Sequence, residues 1–167
     1  KGAAATEGDS RALPDALPGL LARAETLDTA IGGDDTVLAG DGDNLVLGGF
    51  GSDTITTAAG ADVILGDSGE VLLAGGRPVQ ARSLDAGIGG RDAIKAGEGA
   101  NVVIGGMDAD TIEAAAGRDV ILGDSGLVRR DADGLAQAVS TDTAFGGDDQ
   151  IRSEERRVGK ECRSRWS

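Results

Sequence analysis

Aliphatic residues recur along the chain with a spacing of nine. The eighth position of each nine-residue frame is Val or Ile in nine frames, at residues 37, 46, 55, 64, 94, 103, 112, 121 and 151. The sixth position is Asp or Asn in all nine frames, and the fourth position is Gly in eight of them. A triplet centred on a β-branched residue predicts a short strand, and the glycine-rich remainder of the frame predicts a turn. Because strand and turn alternate at a fixed period, the pattern predicts an all-β solenoid.

A longer repeat contains these frames. Residues 27–71 align without gaps on residues 84–128, and 28 of the 45 positions are identical. We expect two consecutive frames to form one coil, so that successive frames build two opposed parallel sheets with the eighth position between them. The fold expected is therefore a parallel β-roll, or β-helix, with a 57-residue super-repeat. The expected segments are the end of a preceding repeat in a loose-coil or hairpin slot (1–29), β-roll block 1 (30–86), block 2 (87–143), the start of block 3 (144–151) and a non-native tail (152–167).

The last sixteen residues depart from the repeat. They read RSEERRVGKECRSRWS and contain the only Cys and the only Trp of the chain. This string resembles the translation of a common sequencing adapter, so we exclude it from the fold expectation. A basic tail that binds acidic partners is the alternative. Since the repeats are also broken at both ends, we expect the sequence to be an internal piece of a larger protein.

The remaining chain is strongly acidic. The full sequence has 16 basic and 29 acidic residues and a net charge of −13, and residues 1–151 alone have a net charge of −16. So acidic a surface argues against binding to nucleic acids or to anionic membranes. The sequence also contains no apolar run long enough for insertion into a bilayer. The charge balance favours cations as partners.

The sixth-position side chains are expected to crowd together along the two edges of the coil. Turns of alternate frames stack on the same edge about 4.8 Å apart. The stacked pairs are Asp35 with Asp53, Asp92 with Asp110, Asn44 with Asp62 and Asn101 with Asp119. Carboxylates this close repel one another unless a cation neutralises them. Calcium accepts six to eight oxygens in loose geometry, whereas magnesium requires a strict octahedron, and no soft ligand for zinc or copper is available. A metal-free solenoid and a disordered acidic linker are the alternatives.

The frame GGFGSDTIT at 48–56 resembles at every position the GGxGxDxUx motif of the RTX, or hemolysin-type, calcium-binding repeat family. The resemblance covers roughly residues 30–71, 87–128 and 144–151, and most other frames depart from the motif at one or two positions. It implies Ca²⁺ as the cofactor, type I export, a secreted or cell-surface location and folding on extracellular calcium.

The resemblance also implies a set of calcium ligands. The implied carboxylate ligands are Asp35, Asp53, Asp62, Asp92, Asp110 and Asp119, with Asn44 and Asn101 as weaker neutral partners and Asp149 at the start of a further set. The implied carbonyl donors are Gly33, Gly51, Gly60, Gly90 and Gly117. Asp108 replaces the fourth-position glycine of its frame, which leaves a distorted turn as the expectation there.

Two features are not explained by the plain motif. Residues 66–86 and 123–143 interrupt the frames, and their pattern predicts two strands near 70–74 and 78–84 around a Gly-Gly-Arg-Pro turn, as a loose coil or a protruding hairpin. Alternate frames also place aliphatic residues on the outer face of one sheet. These residues are Leu45, Leu47, Val63, Leu65, Val102, Ile104, Val120 and Leu122. We expect this face to be covered by the interrupting segments or by a protein partner; the alternative is that bulky aliphatics simply favour strands.

The expected function is that of a non-enzymatic calcium-binding segment that acts as a spacer or scaffold. The sequence GDSG at 66–69 and 123–126 resembles the nucleophile segment of serine proteases, but the chain has no histidine to act as the base. An adhesive or ligand-binding surface module is one alternative. An accessory repeat region of a secreted enzyme is the other.

Overall fold

The computed structural model describes residues 20–131 and 136–154. Within these two ranges the chain forms fourteen strands in three sheets and no helix, so the all-β prediction is confirmed. It follows that none of the described segments is a helix capable of crossing a membrane. Most of the expected segment 1–29 and all of the tail beyond Glu154 lie outside the described residues.

Two of the sheets are parallel and are built from the nonapeptide strands. The first sheet contains, in order across it, β14 (Gln150–Ser153), β10 (Thr111–Ala114), β8 (Ala93–Ala96), β4 (Thr54–Thr56) and β2 (Thr36–Leu38). The second sheet contains, in the same direction, β11 (Val120–Asp124), β9 (Val102–Gly106), β5 (Val63–Leu65) and β3 (Leu45–Leu47). Consecutive frames therefore lie in alternate sheets, which is the connectivity that the repeat predicts.

The register of the strands follows the repeat. Val37 pairs with Ile55, the eighth-position residue two frames later, so two frames make one coil. Ile55 then pairs with Ile94, although the segment 66–86 lies between them in the sequence. The interruption therefore leaves the alignment of the eighth positions intact. The eighth-position side chains from Val37 to Ile121 form one apolar cluster in which Ile55, Val103 and Ile112 are completely buried, whereas Ile151 is 39% exposed.

The third sheet is antiparallel and is formed by the segments that interrupt the frames. This hairpin sheet contains, in order, β1 (Arg23–Glu25), β6 (Gly69–Ala74), β7 (Arg77–Ser83), β12 (Gly126–Arg130) and β13 (Ala136–Ser140). Strands β6 and β7 are joined by Gly75 and Gly76, whose φ angles are 57° and 78°. Positive φ at both central residues is the geometry of a two-residue type I′ hairpin turn. The predicted strands are thus present as a hairpin and not as a loose coil.

The hairpins lie flat on the outer face of the second sheet. Val71 and Leu73 of β6, with Ala81 and Val128, form a second apolar cluster with the outer aliphatics of that sheet. Among those aliphatics Val63, Leu65, Val102, Ile104 and Leu122 are at most 5% exposed, while Leu45, Leu47 and Val120 are partly buried at the margin. The expectation of a protruding hairpin is therefore wrong, because the aliphatic face removes more apolar surface from water when the hairpin folds back over it. The hairpins therefore cover the outer aliphatic face of the second sheet within the same chain.

The block boundaries repeat with the same backbone geometry. Asp28, Asp85 and Asp142, which occupy the same place in successive super-repeats, have φ angles of 53°, 49° and 52°. Each accepts a hydrogen bond at its carbonyl oxygen from the backbone N–H three residues later. The third block therefore begins in register. Strand β14 continues into the expected tail, to Ser153, because pairing with β10 uses backbone groups that any side chain leaves available.

Candidate metal centre

A column of aspartates runs along one edge of the stacked turns. In each pair the backbone N–H of one sixth-position residue donates a hydrogen bond to the carboxylate Oδ1 of the sixth-position residue on the next coil. The pairs are Asp35 to Asp53 (2.8 Å), Asp53 to Asp92 (2.8 Å), Asp92 to Asp110 (2.8 Å) and Asp110 to Asp149 (2.9 Å). We call this column the Asp edge. Asp149 continues this column.

The opposite edge alternates between asparagine and aspartate. The backbone N–H groups of Asn44 and Asp62 donate to Oδ1 of Asp62 (2.9 Å) and of Asn101 (3.0 Å). The N–H of Asn101 donates in turn to Oδ1 of Asp119 (3.0 Å). We call this column the Asn/Asp edge. The structure therefore brings all nine sixth-position residues into two continuous columns, including across the interruption at 66–86.

The second carboxylate oxygen is where the columns are incomplete. Asp53, Asp92 and Asp110 are 1% exposed and Asp62 is fully buried. In each of these four residues Oδ2 is buried and receives no hydrogen bond from any described residue. A buried anionic oxygen without a partner is costly, and a cation or a proton removes that cost. A cation beside these atoms would remove that cost.

Burial raises the pKa values of several of these aspartates. It raises the pKa of Asp92 and of Asp110 to about 8, and the negative charges of neighbouring aspartates act in the same direction. Burial also raises the pKa of Asp53 and of Asp149, against the backbone hydrogen bonds that lower it. The charged forms of these four aspartates are thus disfavoured together, and a divalent cation would restore them.

Backbone carbonyl oxygens lie beside the carboxylates because the fourth-position glycines of successive coils nearly touch. A methyl group on Gly51 would lie 2.5 Å from the carbonyl oxygen of Gly33, and one on Gly90 would lie 2.3 Å from that of Gly51. On the Asn/Asp edge a methyl group on Gly99 would lie 1.7 Å from the carbonyl oxygen of Gly60. The carbonyl groups of Gly33, Gly51 and Gly60 therefore face the following turn. A methyl group on Gly117 would lie 1.5 Å from the carbonyl oxygen of Gly99.

Asp108 keeps its turn in register despite the missing glycine. Its φ angle is 68°, in the left-handed region that Asp tolerates better than most residues. A methyl group on Gly147 of the next coil would lie 2.2 Å from the Asp108 carbonyl oxygen, so the close approach seen at the other fourth positions is kept. The distortion is limited to the backbone of one residue.

The donor set is made entirely of hard oxygens. No three acidic side chains among the described residues are arranged to hold one ion. Each ion would therefore use at most two carboxylates and complete its shell with carbonyl oxygens and water, which suits the loose geometry of calcium. The residues that would hold it are the sixth-position aspartates and the fourth-position glycines with carbonyls facing the next coil. A bound ion would neutralise the negative charge of carboxylates on adjacent coils.

Two further carboxylates that tie turns together were missed at the sequence level. Asp67, which is 4% exposed, accepts hydrogen bonds from the backbone N–H of Gly90 (2.9 Å) and of Met107, and so joins two consecutive turns of the next block. Burial raises its pKa to about 7. Asp124, one super-repeat later, accepts from the N–H of Gly147 (3.0 Å). The signal was present in the sequence GDSG, which occupies the same place in both super-repeats.

Comparison with family models gives a match to the RTX calcium-binding nonapeptide repeat (4 copies), over residues 29–64, 39–73 and 87–126. These segments together span just over half of the chain. Comparisons with curated proteins and with solved structures gave no match. The matched residues contain both columns of the candidate centre except Asp149. The chain therefore belongs to the RTX calcium-binding nonapeptide-repeat family, whose repeats bind calcium.

Proposed function

We propose that the chain is a calcium-gated β-roll solenoid that forms part of a larger secreted or surface protein of bacterial type. The observation that carries this proposal is the column of buried, unpartnered Oδ2 atoms at Asp53, Asp92 and Asp110. These carboxylates stack on consecutive coils, so they cannot all be charged without a cation between them. Calcium binding is then coupled to folding.

The proposed role is that of a spacer or scaffold that folds after export. Extracellular modules bind calcium with dissociation constants of about 10⁻⁴ to 10⁻³ M, so the chain stays unfolded where calcium is scarce and folds where it is abundant. An unfolded chain suits type I export. We assign it no catalytic role of its own; an enzyme elsewhere in the parent protein is compatible with this function.

No observation favours the adhesive alternative. That alternative uses the aliphatic outer face of the second sheet or the loops as its contact, and β6, β7 and β12 occupy this face. A contact with another protein would have to use the loops or the outer side of the hairpin sheet. There the arginines already take part in local contacts, as Arg23 and Arg82 do with Glu70 (2.7 and 2.6 Å).

The test is a calcium titration of the chelated full chain followed by far-ultraviolet circular dichroism, with magnesium in parallel. We expect a cooperative gain of β-signal at calcium concentrations of roughly 10⁻⁴ to 10⁻³ M and none at equal magnesium. A β-signal that is already complete in chelator would overturn the proposal, because the roll would then fold without metal.

A further inference from the structure

The side-chain amide nitrogens of Asn44 and Asn101, on the Asn/Asp edge, donate hydrogen bonds to carbonyl and carboxylate oxygens. Nδ2 of Asn44 donates to the carbonyl oxygens of Gly40 (2.9 Å) and Gly42 (2.8 Å), which belong to its own turn. The same nitrogen lies 3.0 Å from Oδ1 of Asp62 on the next coil. The opposite orientation of the amide would place an oxygen against these acceptors, so the contacts fix the assignment.

Asn101 repeats this arrangement one super-repeat later. Its Nδ2 donates to the carbonyl oxygen of Gly97 (2.9 Å), in its own turn, and to Oδ1 of Asp119 (3.0 Å) on the next coil. Asn101 is fully buried, and its own Oδ1 accepts the N–H of Asp62. Each polar atom of the side chain is therefore bonded, and the amide ties carbonyls of one turn to the carboxylate of the following one.

The aspartates of the Asp edge have the same shape but an oxygen where these amides have nitrogen. Oδ1 accepts the preceding backbone N–H in Asp92 as it does in Asn101. The remaining atom is Nδ2 in Asn101, which is bonded, and Oδ2 in Asp92, which is buried and has no donor among the described residues. A cation would bring carbonyl and carboxylate oxygens together in an aspartate turn, and the amide N–H groups do this in an asparagine turn.

We infer that Asn44 and Asn101 close their own turns without metal, so that calcium loads mainly along the Asp edge. This inference rests on the proposed function. A neutral amide also removes one negative charge from each site, and calcium affinity depends on the number of charged ligands. The asparagine turns of the Asn/Asp edge are then the part that holds adjacent coils together before calcium binds, and the Asp edge, together with Asp62, is the part that calcium controls.

The test compares calcium stoichiometry in the full chain and in the double variant Asn44→Asp/Asn101→Asp, measured by equilibrium dialysis. We expect the variant to bind about two more ions, because two turns regain a charged ligand. Its β-signal should also rise more steeply with calcium, because more ions bind as it folds. The double variant Gln80→Glu/Gln137→Glu adds the same charge on the hairpin sheet and should match the unsubstituted chain in both measurements.

A reciprocal variant keeps the inference testable if the first one does not fold. Asp92→Asn introduces an amide into the Asp edge, so it should bind about one ion fewer, and its β-signal should rise less steeply with calcium than that of the unsubstituted chain. Equal stoichiometry in the unsubstituted chain and the Asn→Asp variant, or in the unsubstituted chain and Asp92→Asn, would overturn the inference while leaving calcium binding intact. Absence of calcium binding by the unsubstituted chain would instead overturn the proposed function.

Discussion

At the scale of single residues, the two oxygens of each sixth-position aspartate have different tasks. Oδ1 accepts a backbone N–H from the neighbouring coil, as in the 2.8 Å bond from Asp53 to Asp92. Oδ2 is the atom that requires a cation or a proton. The Oδ1 of an asparagine can accept the same backbone N–H, but an asparagine has an amide donor, Nδ2, in place of Oδ2. The choice between Asp and Asn at this position therefore sets how strongly a given turn depends on calcium.

The metal-free fold should lose stability as the pH rises. The folded-state pKa values of Asp92 and Asp110 are about 8 and that of Asp67 is about 7, whereas an unfolded carboxyl group has a value near 4. A group whose pKa is raised by folding contributes stability that is present below the unfolded pKa and is lost as the pH rises through the folded pKa. We expect the free energy of unfolding in chelator to fall between about pH 4 and about pH 8.

Far-ultraviolet circular dichroism of the chelated chain from about pH 4 to about pH 8 at constant ionic strength measures this dependence, and the β-signal should be greatest at the acid end. The same series in saturating calcium is the control, and there the β-signal should increase with pH over this interval, because the metal binds only the deprotonated carboxylates. A β-signal that stays constant or rises with pH in chelator would contradict the prediction. It would mean that these aspartates are not buried together in the metal-free state.

A methyl group at a fourth-position glycine should separate the coils. In Gly99→Ala the new methyl would lie 1.7 Å from the carbonyl oxygen of Gly60, and its φ of 137° is unfavourable for alanine. We expect a loss of about 1–3 kcal/mol or more in calcium, the usual cost of overpacking. Gly33→Ala is the matched control, since no atom lies within 4 Å of its methyl position. Chemical denaturation of the two variants checks this, and equal stability would show that the turns relax freely.

The sequence was sufficient to predict the sixth- and fourth-position columns because their partners recur at one fixed interval. Asp53 and Asp92 meet because both occupy the same place in a frame. Asp67 could not be placed in this way. Its partners Gly90 and Met107 occupy different positions of two later frames. They contact Asp67 because the hairpin that follows Asp67 returns the chain to the parallel sheets beside it.

At the scale of elements, the hairpins explain why one parallel sheet is aliphatic on both faces. Their strands were predictable from composition and from the turn at Gly75 and Gly76. Their position was not, because periodicity within a strand indicates which residues share a face and does not indicate what covers that face. The structure shows the second sheet between two apolar clusters, one on each side.

Neighbouring leucines of β6 offer a direct test of this packing. Leu73 is 6% exposed within the cluster against the second sheet, whereas Leu72 is paired with Arg23 and lies outside that cluster. We expect Leu73→Ala to lower the free energy of unfolding by about 2–5 kcal/mol in calcium, as truncation of a buried leucine does. Leu72→Ala makes the same chemical change and should cost much less. Thermal or urea unfolding compares the two, and similar losses would argue against a flat, packed hairpin.

At the scale of the whole molecule, all three sheets advance together. Each super-repeat adds two strands to each parallel sheet and one two-stranded hairpin to the third. Since neighbouring strands lie about 4.8 Å apart in any sheet, two strands in each give all three the same rise per repeat. The pairing confirms this, because Arg23 with Leu72 and Gln80 with Arg129 are the same contact in successive super-repeats. An insertion of one strand or of three strands would give the third sheet a different rise per super-repeat from that of the two parallel sheets.

The alternation of frames between the two parallel sheets predicts that deleting two frames is less harmful than deleting one, even though each deletion leaves fewer parallel strands beneath the first hairpin. Deletion of 48–65 removes one coil and leaves the later strands in their own sheets. Deletion of 57–65 removes one strand, so β8 would enter the second sheet and β9 the first, which would carry Val102 and Ile104 away from the hairpins that bury them. We expect the larger deletion to keep a cooperative calcium-induced β-signal and the smaller one to lose it. Calcium titration by circular dichroism, with size-exclusion chromatography to detect aggregation, distinguishes the two. If the single-frame deletion folded at least as well, the alternation of frames between sheets would not determine this fold.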